Sequence, residues 1–141
     1  HISPTRDENG VLHWPGELIL DGPAVLSFST QRVPPAVERL LEYSGVDKDS
    51  VDFFVFHQAN KMINETIRKK LALPTEKVPS TLRDFGNTSG ASLPVTMTVR
   101  LNDTLINARH RLLLAGFGIG LSWGTAIVDV ENAAFPALIE A

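Results

Sequence analysis

The strongest pattern in the sequence is an apolar run that ends at a histidine and is followed by an amphipathic segment. Phe53–Phe56 is aromatic and β-branched, a composition typical of a strand buried on both faces. Over residues 61–71 the apolar side chains recur at spacings of one, three and four, which predicts a helix with one buried face. His57 therefore lies where a strand ends and a helix is about to begin, an edge of α/β sheets at which ligands bind.

Two further segments have helical patterns. A helix is predicted over residues 33–43, with Pro34 and Pro35 in its first turn, where a missing N–H group has no consequence. Apolar residues recur at helical spacing over 93–106, and this helix is expected to begin within residues 88–92.

The remaining segments complete an alternating pattern. Strands are predicted at 111–115 and 121–130, joined by a glycine turn as an antiparallel pair, and a short strand at 77–79. Residues 1–20 contain several glycines and prolines and are predicted to form a loop, with a short extended piece at 17–20. Helices that alternate with strands through short links predict an α/β fold, a mixed sheet flanked by helices.

Composition narrows the class of protein. Apolar residues make up 43% of the chain, enough for a core, and 13 basic against 16 acidic residues give a net charge of −3, which argues against nucleic-acid binding. No apolar run is long enough to span a bilayer, and the amino end has no signal-like segment. The absence of cysteine excludes disulfides, thiolate metal sites and a cysteine nucleophile within this chain. The abrupt start at His1 raises the expectation of a fragment.

Three loops carry the candidate chemistry, at residues 57–60, 86–92 and 116–122. Each follows a strand or precedes a helix, so one edge of a sheet can hold all three. His57 can donate a hydrogen bond or move a proton near neutral pH, Asn87 can donate from an uncharged amide, and the glycine turn can expose backbone N–H groups, the usual material of an oxyanion hole. A neutral histidine and an asparagine that donate to one carbonyl oxygen would stabilise an enolate.

Each part also has a plainer interpretation. Judged from residues 51–60 alone, a structural role for His57 at a strand end explains the histidine about as well as a chemical role does. Gly-Asn at 86–87 is a common turn. The glycines of 116–120 lead into a strand and not a helix, which excludes a dinucleotide-binding fingerprint. Ser89 and Ser92 are nucleophile candidates in principle, but no acid is placed to complete a triad with the histidine.

Taken in this order, the three motifs resemble the carboxy-terminal half of β-ketoacyl-acyl-carrier-protein synthase III. They read His-Gln-Ala-Asn at 57–60, Gly-Asn-Thr-Ser-Gly-Ala-Ser at 86–92 and Gly-Phe-Gly-Ile-Gly-Leu-Ser-Trp-Gly at 116–124. The resemblance covers residues 21–130 and implies a thiolase-like domain there, one of two similar halves that pack as α-β-α-β-α layers. It makes residues 1–20 a linker from the preceding half and 131–141 a tail.

The resemblance also implies roles for individual residues. The family's active site is Cys-His-Asn, and its cysteine lies in the amino-terminal half, which this sequence does not contain. His57 and Asn87 match the family histidine and asparagine, which donate to the malonyl thioester oxygen and hold the enolate formed by decarboxylation. Ile119 matches the position whose backbone N–H joins the oxyanion hole. Phe117 is expected near the catalytic pair, and Asn60 matches a residue that contacts the pantetheine arm.

One position departs from the family pattern. Common members have an arginine two residues after the motif asparagine, which docks the acidic carrier protein, and Met62 stands there in this chain. Lys61 and Arg68, on the same predicted helix, are the candidate docking cations instead. In the alternative interpretation Glu65 simply pairs with both, each pair contributing about 0.3–0.5 kcal/mol.

Functionally, the resemblance implies an acyltransferase of fatty acid or related biosynthesis. In the complete protein, acyl-CoA would load the cysteine, and decarboxylative Claisen condensation with malonyl carrier protein would extend the acyl group, without a metal or redox cofactor. The expected setting is a cytoplasmic homodimer that needs its amino-terminal half and acyl carrier protein but neither nucleic acid nor a membrane; the fragment alone is expected to be inactive. The alternatives are a thiolase-like condensation or acyl transfer on CoA thioesters, and a non-catalytic partner that binds acyl chains or stabilises a dimer.

Overall fold

The centre of the fold is a three-stranded mixed sheet, seen in a computed structural model that describes residues 3–16, 21–133 and 135. Its strand order is β3 (Phe53–Phe56), β4 (Arg109–Gly118) and β5 (Ser122–Glu131). β3 runs parallel to β4, with Phe56 opposite Ala115, and β4 runs antiparallel to β5. The predicted strands at 53–56, 111–115 and 121–130 are thus confirmed, as is the α/β class.

Helices cover both faces of this sheet because alternate residues of β3 point to opposite sides. Phe54 and Phe56 belong to one apolar cluster with residues of two helices, α1 (Gly22–Ser44) and α2 (Lys61–Lys70). Val55 belongs to a second cluster on the other face, with the apolar residues Leu101, Leu105 and Leu112. The strand is buried on both faces, as its composition predicts.

The first long helix is longer than the sequence pattern indicates. α1 begins at Gly22 and not near residue 33, and its start is fixed by Asp21, whose Oδ1 accepts a hydrogen bond of 2.9 Å from the backbone N–H of Ala24. The prediction that Pro34 and Pro35 mark the first turn is therefore wrong.

Both prolines lie inside α1, where proline normally breaks a helix. Pro34 has no N–H group to donate to the carbonyl oxygen of Thr30, one turn earlier. Lys70 of α2 supplies the missing donor, because its Nζ lies 2.9 Å from that oxygen. This contact between residues 40 apart in sequence satisfies the carbonyl group that Pro34 leaves without a donor, and a local pattern cannot reveal it.

The strand predicted after α2 is not formed. α2 is confirmed, but residues 77–79 form no strand: Thr75–Lys77 is a single 3₁₀ turn. This turn is closed by a hydrogen bond of 3.1 Å from the backbone N–H of Val78 to the carbonyl oxygen of Thr75. A four-residue helix that the sequence pattern did not predict, α3 (Leu82–Phe85), follows.

The predicted helix over 93–106 is confirmed as a composite. It begins with a 3₁₀ turn at Ser89–Ala91 and continues as α4 (Ser92–Thr96), a π-helical segment (Met97–Leu101) and α5 (Asn102–Leu105). Pro94 falls in the first turn of α4, where its missing N–H has no intrahelical partner to lose.

The amino-terminal region contains a hairpin where the sequence predicts a loop. β1 (Thr5–Arg6) pairs antiparallel with β2 (Leu12–His13), and the Asp7 side chain closes the connection by accepting from the backbone of Val11 at 2.9 Å. The extended piece predicted at 17–20 lies outside the described residues, as does most of the tail. Among the helices of the described chain, none has the length and apolar character needed to cross a membrane.

Candidate active site

The backbone of His57 is fixed by two elements at the carboxyl end of β3. Its N–H continues the sheet by donating to the carbonyl oxygen of Ala115 on β4 at 2.8 Å. Its own carbonyl oxygen accepts from Nδ2 of Asn64 on α2 at 3.1 Å. The histidine is therefore held by the sheet on one side and by the following helix on the other.

The imidazole ring of His57 is half-buried between two side chains from the other candidate loops. Its Nδ1 lies 2.7 Å from Oγ of Ser92, at the start of α4. Phe117, near the end of β4, meets the ring edge-on with 5.3 Å between ring centroids. All three predicted loops thus contribute to or adjoin one edge of the sheet, and Phe117 lies beside the histidine as predicted.

Burial sets the protonation state of this ring. Removal of the imidazole from water disfavours its charged form and lowers the pKa of His57 below its ordinary value, while the backbone of Ser89 acts in the opposite direction. The histidine is therefore neutral at physiological pH and presents one N–H donor and one acceptor nitrogen.

Gln58 is a residue of this site whose role the sequence analysis missed. It is 1% exposed, and its Oε1 accepts from the Ser80 hydroxyl at 2.9 Å and from the backbone N–H of Thr81 at 3.0 Å. Its Nε2 donates to the carbonyl oxygen of Phe56 at 2.8 Å. The side chain ties the residue after the histidine to the segment before α3, and only its place in the motif next to His57 pointed to it.

Asn87 lies in the loop between α3 and α4, and its side chain is exposed. Its Oδ1 accepts from the backbone N–H of Ser89 at 2.9 Å, which leaves the Nδ2 amide hydrogens for a ligand. Ser89 has a φ of +53°, a strained conformation for a residue with a side chain. The loop reaches His57 through Ser92, and no direct hydrogen bond joins Asn87 to the histidine.

The glycine turn, residues 118–121, connects β4 to β5 and is open to solvent. Ile119 is 70% exposed at its tip, and its carbonyl oxygen accepts from the Ser122 hydroxyl at 2.9 Å. Gly120 has a φ of +141°, and a Cβ placed there would lie 2.9 Å from the backbone nitrogen of Ser122. The turn therefore requires glycine at 120, whereas position 119 tolerates a large side chain.

Asn60 has a structural task that its motif does not reveal. Its Oδ1 accepts from the backbone N–H of Ile63 at 2.8 Å and so caps the start of α2. The residue itself is exposed.

The two candidate docking cations differ in their surroundings. Arg68 forms a salt bridge of 2.9 Å with Glu65 and donates to the carbonyl oxygen of Leu73 at 2.7 Å, which matches the alternative interpretation of a local pair. Lys61 is exposed at the start of α2, next to Met62, which is 59% exposed. Lys61 is thus the more available of the two cations for a partner.

Within the described residues, no three histidine or acidic side chains come together as a possible metal site. The nucleophile candidate Ser92 is fully buried, with its hydroxyl against the histidine ring and out of reach of a substrate.

A mixed sheet with helices on both faces, a buried-strand histidine at its edge and an adjoining glycine turn define half of a thiolase-like condensing domain. The model of the family described as 3-oxoacyl-[acyl-carrier-protein (ACP)] synthase III, C terminal, matches residues 41–130, so this chain belongs to that family.

Known proteins agree with this assignment. The chain is 36% identical over 115 residues to β-ketoacyl-[acyl-carrier-protein] synthase III of Streptococcus gordonii, which covers 80% of this chain and 36% of the relative. It is 40% identical over 122 residues to β-ketoacyl-[acyl-carrier-protein] synthase III 1 of Halalkalibacterium halodurans, covering 84% of this chain and 39% of the relative.

Among solved structures, the 3-oxoacyl-(acyl-carrier protein) synthase of Burkholderia xenovorans LB400 superposes with a TM-score of 0.83 at 38% identity. The match covers 94% of this chain and 36% of that one. The chain therefore spans little more than a third of the length of the proteins it matches.

Proposed function

We propose that this chain is the carboxy-terminal part of a β-ketoacyl-acyl-carrier-protein synthase III-type condensing enzyme. In the complete protein, meaning the product of the whole gene that encodes this chain, an amino-terminal part supplies the nucleophilic cysteine. The observation that carries the proposal is the neutral, preorganised His57 beside the loop of Asn87, in a chain that is similar to synthases of this type.

In the proposed reaction, acyl-CoA first transfers its acyl group to the cysteine. The N–H of the His57 imidazole and the Nδ2 amide of Asn87 then donate to the thioester oxygen of malonyl carrier protein. The bond between its carboxylate and the α-carbon breaks, CO₂ leaves, and the electron pair forms an enolate that the two donors stabilise.

The enolate carbon attacks the carbonyl carbon of the acyl-cysteine. The oxygen of the resulting tetrahedral intermediate accepts a hydrogen bond from the backbone N–H of Ile119. Collapse of the intermediate then releases the cysteine thiolate and β-ketoacyl carrier protein. Neither His57 nor Asn87 needs to gain or lose a proton in this sequence, so no metal or redox cofactor is part of the proposal.

The partners follow from the same proposal. They are acyl-CoA, an acyl carrier protein and a second copy of the complete protein, in the cytoplasm. The pantetheine arm would pass Asn60 beside the capped start of α2, and exposed Lys61 would face the acidic carrier.

Met62 favours a second candidate, condensation on CoA thioesters throughout. Its side chain is uncharged and 59% exposed at the start of α2, at the position where the carrier-docking arginine of the family is expected. In that case malonyl-CoA would replace malonyl carrier protein at the same site, with the same roles for His57 and Asn87.

The test uses the complete protein with a panel of labelled acyl-CoA primers and either malonyl carrier protein or malonyl-CoA. His57→Ala and Asn87→Ala are each expected to lower condensation by roughly 10²–10³-fold, the usual effect of removing one donor to a developing oxyanion. Loading of the cysteine should persist in both variants.

His13→Ala, in the separate amino-terminal hairpin, is the control for loss of a histidine. Condensation that survives in both site variants would refute the proposal, and so would a complete protein that no primer in the panel acylates.

A further inference from the structure

A network of buried hydrogen bonds begins at the His57 ring and ends at Gln58, the next residue in the chain. Ser92, whose Oγ contacts the ring, is fully buried, and its carbonyl oxygen accepts from Oγ1 of Thr96 at 2.8 Å. Thr96 Oγ1 lies 3.0 Å from Oγ1 of Thr81, and the backbone N–H of Thr81 donates to Gln58. Since Gln58 follows His57 in the chain, the network holds both the ring and the loop that carries it.

Each hydroxyl in this network has one proton, which fixes the direction of the bonds. The proton of Thr96 goes to the Ser92 carbonyl oxygen, so the contact between the two threonines uses the proton of Thr81. The Ser92 hydroxyl has one hydrogen-bond contact in the described part of the chain, Nδ1 of His57, while the ring is also near the backbone of Ser89. If Nδ1 carried the ring proton, the buried Ser92 proton would have no acceptor, a state that is strongly disfavoured.

We infer that Ser92 is the positioning residue of the condensing site and that its hydroxyl donates to Nδ1 of His57. This bond fixes the neutral tautomer in which Nε2 carries the proton, so that Nε2–H is the donor to the thioester oxygen. The inference rests on the proposed function. It adds that the hydrogen bond from Ser92 makes Nε2 of His57 the donor in the condensing site. Because Ser92 is fully buried, it acts through the ring and does not touch the substrate.

The Thr96 side chain supplies a matched control. It is fully buried in the same network, one turn after Ser92, and its hydroxyl bonds to Ser92 and Thr81 but not to the histidine. Thr96→Val removes a hydroxyl from the network and keeps the bond between Ser92 and Nδ1. Ser92→Ala removes that bond, and Ser92→Cys keeps a weak donor at nearly the same volume in case the alanine variant does not fold.

The first measurement is the tautomer of His57 in the complete protein labelled with ¹⁵N-histidine, since the shifts of protonated and unprotonated ring nitrogens differ widely. The His57 signals are assigned by their absence in His57→Ala. The wild type and Thr96→Val should have protonated Nε2 and unprotonated Nδ1, whereas Ser92→Ala should show a mixture of tautomers. A wild type protonated at Nδ1 would overturn the inference.

The second measurement separates the two half-reactions. Ser92→Ala should slow malonyl decarboxylation by about tenfold, the kinetic equivalent of one lost hydrogen bond. Cysteine acylation should not change, Thr96→Val should decarboxylate near the wild-type rate, and Ser92→Cys should recover part of the loss.

Equal decarboxylation rates in Ser92→Ala and wild type, or equal losses in Ser92→Ala and Thr96→Val, would refute the role of Ser92 alone, provided that His57→Ala abolishes condensation. If His57→Ala itself leaves condensation intact, the proposed function fails first, and the tautomer measurement still decides whether Ser92 donates to the ring.

Discussion

Two neighbouring parts of the site are stabilised in opposite ways. In the histidine loop, residues 57–60, the polar side chains are held by buried or capping hydrogen bonds, and Gln58 alone makes three. In the glycine turn, residues 118–121, the shape comes from glycine backbone conformations, and Ile119 and Leu121 are 70% and 45% exposed. One part of the site is thus complete within this chain, whereas the other presents apolar surface outward.

The contrast separates the part of the site that this chain builds by itself from the part that it leaves exposed. The histidine ring and its donor geometry are set by β3, α2 and α4, all of which the chain contains. The exposed apolar side chains of the turn, together with Trp123 at 42% exposure, form an outward-facing apolar surface. Substitutions in the two regions are therefore expected to act on different properties.

The largest expected loss of stability comes from the histidine loop. Gln58→Leu would remove three hydrogen bonds and leave the buried backbone N–H of Thr81 without its acceptor, so the free energy of unfolding should fall by about 3 kcal/mol. The measurement is the shift in urea denaturation of the complete protein.

Gln31→Leu is the matched control, since Gln31 is exposed on α1 and bonds only to the Ser27 hydroxyl at 3.0 Å. It should change stability by less than about 0.5 kcal/mol. If the two variants lose the same free energy of unfolding, the buried hydrogen bonds of Gln58 do not stabilise the histidine loop.

The second largest loss of stability is expected in the glycine turn and comes from its backbone conformation. Gly120→Ala forces a side chain onto a φ of +141° and into contact with the Ser122 backbone, so it should lower stability by about 2 kcal/mol. Gly124→Ala, in β5, meets no atom within 4 Å and should be nearly neutral. If Gly120→Ala proves as mild as Gly124→Ala in thermal unfolding, the turn is not held by its backbone.

The third prediction concerns pH and applies to the histidine loop, because residues 118–121 have no titratable side chain. The pKa of His57 is lower in the folded protein than in the unfolded chain, where it is about 6.5. The unfolded state therefore takes up the proton first, so the contribution of His57 to stability is full above that pH and declines as the pH falls through it.

The loss from this one group is at most about 1.4 kcal/mol per pH unit. Stability curves of the wild type and of His57→Gln should run parallel above pH 7 and converge below it, because the variant has no such proton to bind. Curves that stay parallel from pH 7.5 to pH 5 would mean that the folded protein does not lower the pKa of His57.

Much of the fold could be predicted from local pattern. The buried strand Phe53–Phe56, helix α2 and the antiparallel pair β4–β5 follow from periodicity, turn glycines and proline positions, which are properties of adjacent residues. The extent of α1 could not be predicted in this way, because the amine of Lys70 that replaces the missing donor of Pro34 comes from another helix.

The site shows the same division. The three motifs are local and lie at one edge of the sheet, and their residue types indicate hydrogen-bond donors. The roles of Gln58 and Ser92 depend on contacts between residues 22 to 35 positions apart, so no spacing rule reveals them. The pair of Arg68 with Glu65 follows from helical spacing, whereas the hydrogen bond from Arg68 to the carbonyl oxygen of Leu73 appears only once the chain is folded.

The smallest stability effect is expected at the tip of the glycine turn, where the functional effect should be specific. Ile119→Ala should change the free energy of unfolding by less than about 0.5 kcal/mol, since the side chain is 70% exposed. Ile106→Ala, at an isoleucine 44% exposed just after α5, should be equally mild. The two differ in their place relative to the site: Ile119 follows Phe117 by two residues, and Phe117 packs on the ring of His57. In the complete protein, Ile119→Ala should therefore change the ratio of kcat/KM for long and short acyl primers by a few fold, whereas Ile106→Ala should leave it unchanged. An unchanged ratio in Ile119→Ala would separate the turn from primer selection and leave it only a backbone role.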